Sequence, residues 1–511
     1  MSSQNEIDAA IALSRFGLGA TGFGIAPIVK DPRGLLREEI TARLLPMPVG
    51  PELKSTPELM LGFYDFADKR KAENEAKLKE KQAQAQREAQ MAGTTTPQPQ
   101  AIAPSTPKEA LPKEMAMAKP GAMAPAAQPT AAQAPAKPNE PPYPQRIFLA
   151  EAEARFNGTI HEPKIGFPER LAWFWANHFA ISVDKGEPDR VLAGAYEREA
   201  IRPHIFGKFY DLLVAVETHP AMIEFLDNQQ SIGPNSKAGL KNKRGLNENL
   251  ARETMELHTL GVHGGYTQAD VTSFARIITG WTVAGRQAKL GASGTFVFNA
   301  NAHEPGDQVL LGQSFPDTGV NQGKDALLML ARHPSTAKFI ALKLARHFVA
   351  DTPPPGLVAH LAETFTKTDG DLSAVYLALI SAPESWQQKQ TKVRTPLEFM
   401  FAMLRASSEQ QPIQRIVSAL NALGQPLWAP PGPNGFGDVA AAWASSEGLA
   451  TRIDIAAIAA SAMPLPTDPR AFIEGAFGPI LSDHTRQAVA RAETRNQGLA
   501  IAFLSPEFQR R

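Results

Sequence analysis

Thirteen of the chain's 43 prolines fall between Met91 and Gln145, set among Ala, Gln and Thr. Prolines at that density remove ladder donors and block helices, and too few large side chains remain to build a core. A chain carrying such a stretch cannot fold as one uninterrupted unit. Just upstream, "KRKAENEAKLKEKQAQAQREAQ" (69–90) consists of strong helix formers with almost no apolar stripe, the pattern of a solvated helix or charged spacer. Residues 67–145 are therefore expected to be a charged helix followed by a disordered insertion. The insertion would divide an N-terminal helical part of the core (1–66) from the main helical core (146–511).

Outside the insertion the pattern is mainly α. "ERLAWFWANHF" (169–179) has aromatic residues around most of its circumference and suits a buried helix. "PHIFGKFYDLLVAVETH" (203–219) opens with proline at a first-turn position and carries a helical stripe, which places His204 in the first turn. In "TQADVTSFARIITGW", Thr267 and Asp270 fit a capping box and Gly280 a stop. "RFGLGATGFG" spaces its glycines for a helix end and turn, not for a phosphate loop. Strand signals are few: "GTFVF" and "QVLLG" flank "NANAHEPGD", which predicts one small β-hairpin with a long turn.

Charge and cysteine content exclude several functions. Lys plus Arg and Asp plus Glu are both 52, which argues against a general nucleic-acid or anionic-membrane binder. With no cysteine, thiolate nucleophiles, disulfides, iron–sulfur clusters and Cys-ligated zinc are all ruled out. No apolar run approaches the roughly 20 residues that a membrane span needs. The start shows no basic, apolar leader, so a cytoplasmic location is the expectation.

The chemistry concentrates in "RGLNENLARETMELHTLGVHGGYTQADV" (244–271). If 247–260 is one helix, Asn249, Glu253 and Glu256 share a narrow stripe bordering the buried face marked by Leu250 and Leu257. Glu248 and Arg252 are spaced for a surface ion pair. His258 points away from Glu253 and Glu256 unless the last turn is distorted near Gly261. One reading has Glu253 and Glu256 paired with Arg198, Arg202 or Arg276 at a helix interface. Another joins them to His178 and His204 as ligands for Mn, Fe or Zn, metals that suit oxygen and imidazole donors. A third is metal-free acid/base chemistry by Glu253 and His178. His178 follows Asn177, so two polar groups enter a buried-looking helix together, and each needs a partner there. His303, Glu304 and Asp307 in "AHEPGD" are expected in a solvated loop. "PLWAPPGPNGFGD" (426–438) is a rigid Pro/Gly loop, a structural lid that can also line a site through Trp428 and Phe436.

The 244–271 stretch closely resembles the signature of the bacterial family called domain of unknown function 1800. "LSRFGLGAT", "WFWANHF", "IRPHIFGKFYDLLVAVETHPAMIEFLDN", "ARHPSTAKFIALKLARHFV" and "GQPLWAPPGPNGF" support the resemblance, which spans nearly everything except 67–145. It implies a large, mainly helical bacterial protein. It also implies signature residues at Asn177, His178, His204, Asn247, Glu248, Asn249, Arg252, Glu253, Glu256, His258 and Gly261. Glu304, Gln308 and Phe436 depart from the pattern. Such proteins are often encoded beside a second family, domain of unknown function 1501, whose members often carry export signals.

Two function classes fit these features. One is an enzyme with Glu253, Glu256 and His178 as catalytic groups, and Asn177, Asn247, Glu248, Asn249, Arg252 and His258 binding around them. The other is a non-catalytic assembly protein that acts with a partner of the 1501 family and uses the insertion as a tether.

Overall fold

Local capping rules account for much of the architecture. Thr267 accepts from the Asp270 amide, and the Asp270 carboxylate accepts from the Thr267 amide at 2.8 Å, so the expected capping box opens the helix Gln268–Ile277. Val271 and Phe274 bury its inner face, and Gly280, at φ +81°, ends the segment in a conformation that glycine tolerates best. Pro334 breaks a long apolar run into Val320–Arg332 and Pro334–Phe348, with the His333 side chain accepting from the Ser335 amide at 3.1 Å. The computed structural model describes residues 4–92, 140–160, 164–242, 245–407 and 411–511.

Helix takes 62% of the chain, so the fold is mainly α. Four short strands make two antiparallel hairpins: Trp281–Val283 with Phe296–Phe298, and Gln308–Leu310 with Gln313–Phe315. The two expected strand segments are thus both extended, but they do not pair with each other: Phe296–Phe298 pairs back with Trp281–Val283, and Gln308–Leu310 forward with Gln313–Phe315. Only Leu311 and Gly312 close the second ladder, at low entropic cost.

Met1–Tyr64 and Pro142–Arg511 form one compact unit, and Asp65–Pro141 a second. The helix Thr56–Ala92 is anchored at its start, where Leu59 and Met60 are buried and the Tyr143 hydroxyl donates to the Leu59 carbonyl. Its side chains from 68 to 88 are exposed. Most of the Pro/Ala/Gln-rich insertion, 93–139, lies outside the described residues. Its expected last residues, 143–145, already belong to the helix Tyr143–Ile160.

The segment 203–219 is not one helix. Turns run from Arg202 to Phe206, and a helix begins only at Phe209. Gly207 closes back on the His204 carbonyl and Lys208 bridges to Asp371, so tertiary pairing displaces the proline-led start. His204 therefore has no helix dipole beneath it. "ERLAWFWANHF" does form a buried helix, Phe167–His178.

Candidate functional site

Two hollows meet at the Pro/Gly loop 426–438. A small, partly open cavity of about 90 Å³ lies on one side, lined by Asn177, Glu197, His347, Trp428, Phe436 and Asp438 among others. An open groove of about 870 Å³ lies on the other, lined by Asn249, Glu253, Pro430, Phe436, Trp443 and neighbouring groups. Asn177 pins the loop between them. Its amide donates to the Phe436 carbonyl at 3.0 Å, and its carbonyl accepts from the Phe436 amide at 2.8 Å. Gly435, at φ +75°, makes that approach possible, because a Cβ there would stand 2.3 Å from the Asn177 backbone oxygen. Trp428 holds a left-handed φ of 51° while its indole donates to Glu197 at 3.1 Å. A bulky residue in that region is strained and persists only where its surroundings enforce it.

The acidic segment begins as the α-helix Asn249–Glu253 and widens into a π-helical turn, Thr254–Thr259. π-turns add a residue to the hydrogen-bonded loop and re-aim the side chains beyond it. Asn249 and Glu253 face the groove. His258 turns into the core, fully buried, and its Nδ1–H donates to Glu217 Oε1 at 2.7 Å. The other Glu217 oxygen accepts from Thr254 at 3.0 Å, so one carboxylate holds both ends of the turn. The distorted last turn is thus present. Gly261 ends the segment at φ +82°, with Phe339 only 2.9 Å from where a Cβ would sit.

The other sequence-picked residues scatter. Glu248 accepts from Arg252 at 2.9 Å, Gln268 at 2.8 Å and Thr272 at 2.7 Å in a solvent-side network. The Thr272 bond, followed by those from Gln268 and Arg252, holds its carboxyl below the ordinary value against slight burial. Asn247 bridges to the Asp227 carbonyl and receives the Asn249 amide. Glu256 accepts from the Tyr266 hydroxyl at 3.4 Å. His178 is buried, its Nε2–H donating to the His258 carbonyl at 3.1 Å. His204 is half-buried, and burial lowers its pKa. Among the described residues, no group of three or more His, Asp and Glu side chains is gathered where it could hold a metal ion. The set His178, His204, Glu253 and Glu256 is therefore not brought together.

Arg198 and Arg202 do not pair with Glu253 or Glu256 either. Arg198 is held by Glu151 at 2.7 Å, and Arg202 by Glu169 at 2.6 Å and Glu197 at 2.8 Å. Glu253 has no hydrogen bond or ion pair among the described residues. Burial raises its carboxyl above the ordinary value; His258 and Arg252 oppose that, and Glu256 reinforces it. The "AHEPGD" turn is a further correction. His303 and Glu304 are buried at 6% and 3% exposure, with Glu304 accepting from the Asn235 amide at 2.9 Å and His303 Nδ1–H donating to the Thr279 carbonyl at 2.9 Å. The turn packs on distant backbone that the local sequence does not reveal.

Sequence reasoning missed the groups around the cavity. His347 Nδ1–H donates to Asp438 at 2.9 Å, while Lys392 reaches the Asp438 carbonyl at 2.8 Å and Asp351 at 2.7 Å. Glu398 joins Arg170 at 2.6 Å and Arg511 at 2.8 Å. Burial would raise the Glu398 carboxyl, but Arg170 and Arg511 bring it down to about 2. Burial lowers His347 to about 4 despite Asp438. A usable signal existed: Glu169 and Arg170 enter the same aromatic helix as Asn177 and His178, and a charge in an apolar helix needs a partner just as an amide does.

Residues 11–510 match the family described as "Protein of unknown function (DUF1800)", and the chain belongs to that family. No curated protein and no solved structure matches it.

Proposed function

We propose that this member of the family binds an organic ligand in the groove beneath the Pro/Gly loop and exchanges a proton with it through Glu253. The observation that carries this reading is one half-buried carboxylate without a protein partner on the wall of a ligand-sized groove. A site of that size with mostly apolar lining and a few convergent polar groups is the usual form of a small-molecule site. A carboxyl raised toward neutral pH suits general acid/base work. Phe436, Trp443 and the prolines favour a ligand with an apolar body, and Glu253 with Asn249 favours hydrogen-bond donors or a positive charge on it.

The reading does not route chemistry through His178 or Glu256, which lie off that wall. A thermal-shift screen of small amines and polyols tests it. A hit should stabilise the parent and the Glu248→Gln variant alike and lose its effect in Glu253→Gln. Hits that stabilise all three equally would defeat the reading.

A partner-binding role has one observation in its favour. The helix Ser446–Ala462 buries Arg452, Ala456 and Ala460 but leaves Leu449, Ile453 and Ile458 at 45%, 54% and 70% exposure. Ile453 and Ile458 stand about 140° apart round the helix, so it offers exposed apolar side chains on two sides, and such exposure can mark an interaction surface. A partner of the domain of unknown function 1501 family is the expectation, and co-purification that is lost when Ile453 and Ile458 become Asp tests it.

A further inference from the structure

The groove that carries Glu253 also has an aromatic part, and the two together select among ligands. Phe436 and Trp443 both line it, with ring centroids 6.1 Å apart and planes tilted by 48°, so the rings form a corner. The Trp443 indole donates to the Gly437 carbonyl at 2.8 Å, and Asn177 clamps the Phe436 backbone, which anchors both ends of that corner. Phe225, Pro430 and Pro431 add further apolar lining. The charge on the same lining is negative. Lys185 is held by Asp227 at 2.5 Å, and Asp184 lies 3.5 Å from Arg190. Glu253 remains without an ion pair among the described residues. Arg252 and His258 act on it through charge alone: the first is bonded to Glu248 at 2.9 Å and the second to Glu217 at 2.7 Å, while Glu256 adds repulsion.

We propose that the groove takes a tertiary ammonium group, with its alkyl groups on the Phe436–Trp443 corner and its one N–H on Glu253. The assignment rests on the groove reading above and names the chemistry of its ligand. A carboxylate without a partner attracts a cation, and the negative faces of aromatic rings do the same. A primary ammonium would need three acceptors on leaving water, and this mostly apolar lining has few to give. Alkyl groups on the nitrogen remove that need, because they spread the charge over C–H groups that rest on the rings. A quaternary nitrogen, in turn, has no proton to exchange with Glu253. An anion would meet an unbalanced carboxylate, and Lys185 is already committed to Asp227.

The test titrates the full chain with two probes of one shape. Dimethylaminoethanol is cationic at neutral pH, and isoamyl alcohol has a C–H in place of its N–H. Ligand-observed NMR gives both dissociation constants. The parent should prefer the amine by about tenfold or more. Glu253→Gln should remove most of that preference. Phe436→Leu, which keeps apolar bulk and the backbone clamp, should reduce it severalfold. Burial raises the Glu253 carboxyl above its ordinary value, so the parent's preference should fade as pH falls through that raised value and the acid becomes neutral. Circular dichroism checks that both variants fold; if one does not, the parent's preference and its pH profile decide. Equal affinity for the two probes would overturn the ammonium assignment while the groove reading stands. A preference unchanged in folded Glu253→Gln or Phe436→Leu would overturn it as well. If neither probe binds, the assignment fails, and the thermal-shift screen decides separately whether the groove reading survives.

Discussion

The cavity and the groove share the wall made by the Pro/Gly loop, yet they treat charge in opposite ways. Around the cavity, every named carboxylate is matched: Glu197 and Glu169 by Arg202, Glu398 by Arg170 and Arg511, and Asp438 by His347 and Lys392. On the groove side, Glu253 faces the opening without a partner among the described residues. Buried charges must be paired because removing them from water costs several kcal/mol each. A carboxylate left unpaired and half-buried, by contrast, keeps its lone pairs and its proton for something from outside. The difference separates a region where charge maintains the fold from one where charge is available for chemistry.

The largest effect should come from breaking the cavity side. Arg202→Met leaves Glu169 buried without its ion-pair partner and Glu197 with Arg155 alone, and should cost about 3–5 kcal/mol in urea unfolding. A loss below about 1 kcal/mol would mean that these charges are not structural, and the contrast would collapse.

Next in size is a pH effect from the same network. His347 falls from 6.5 in the unfolded chain to about 4 in the fold, because burial disfavours its charged form. The unfolded chain then binds more protons between those values. Stability is fully present above about pH 6.5 and is lost as pH falls toward about 4, by about 3 kcal/mol from this group. Subtracting the pH profile of a His347→Asn variant from that of the parent isolates the contribution. A flat difference would remove His347 from the paired set.

The smallest effect sharpens the groove side. A folded-state pKa raised above the unfolded value means that Glu253 favours the fold at low pH and disfavours it as pH rises through its folded value. Glu253→Gln should therefore leave stability at pH 7 unchanged or slightly higher. Glu248→Gln, which breaks an exposed network, should cost at most about 1 kcal/mol. A loss of several kcal/mol at position 253 would place Glu253 with the structural charges after all.

Much of the fold was legible because it rests on short-range rules. The capping box at Thr267 and Asp270, the left-handed glycine at 261 and the buried aromatic helix ending at His178 are each decided within a turn of their own residues. The site was legible only in part. Asn177, Asn249 and Glu253 do line the two hollows, whereas His204 and Glu256 stand apart from them. The stripe drawn on an ideal helix kept Asn249 and Glu253 together on the groove but could not foresee the π-turn, because Glu217 draws Thr254 and His258 toward another helix.

By itself, then, the order of residues determined where helices such as Gln268–Ile277 and Phe167–His178 lie, that the polar groups cluster in 244–271, and which family the chain belongs to. Those features rest on hydrogen bonds and side-chain periods that close within three or four residues. Tertiary structure alone decided that Arg202 pairs with Glu169 and Glu197, that the two expected strands take other partners, and that Asn177 clamps the Phe436 backbone. A charge or amide has many equivalent partners in an extended chain. The choice among them is made only when distant segments pack together and the cost of leaving each group without water and without a partner comes due.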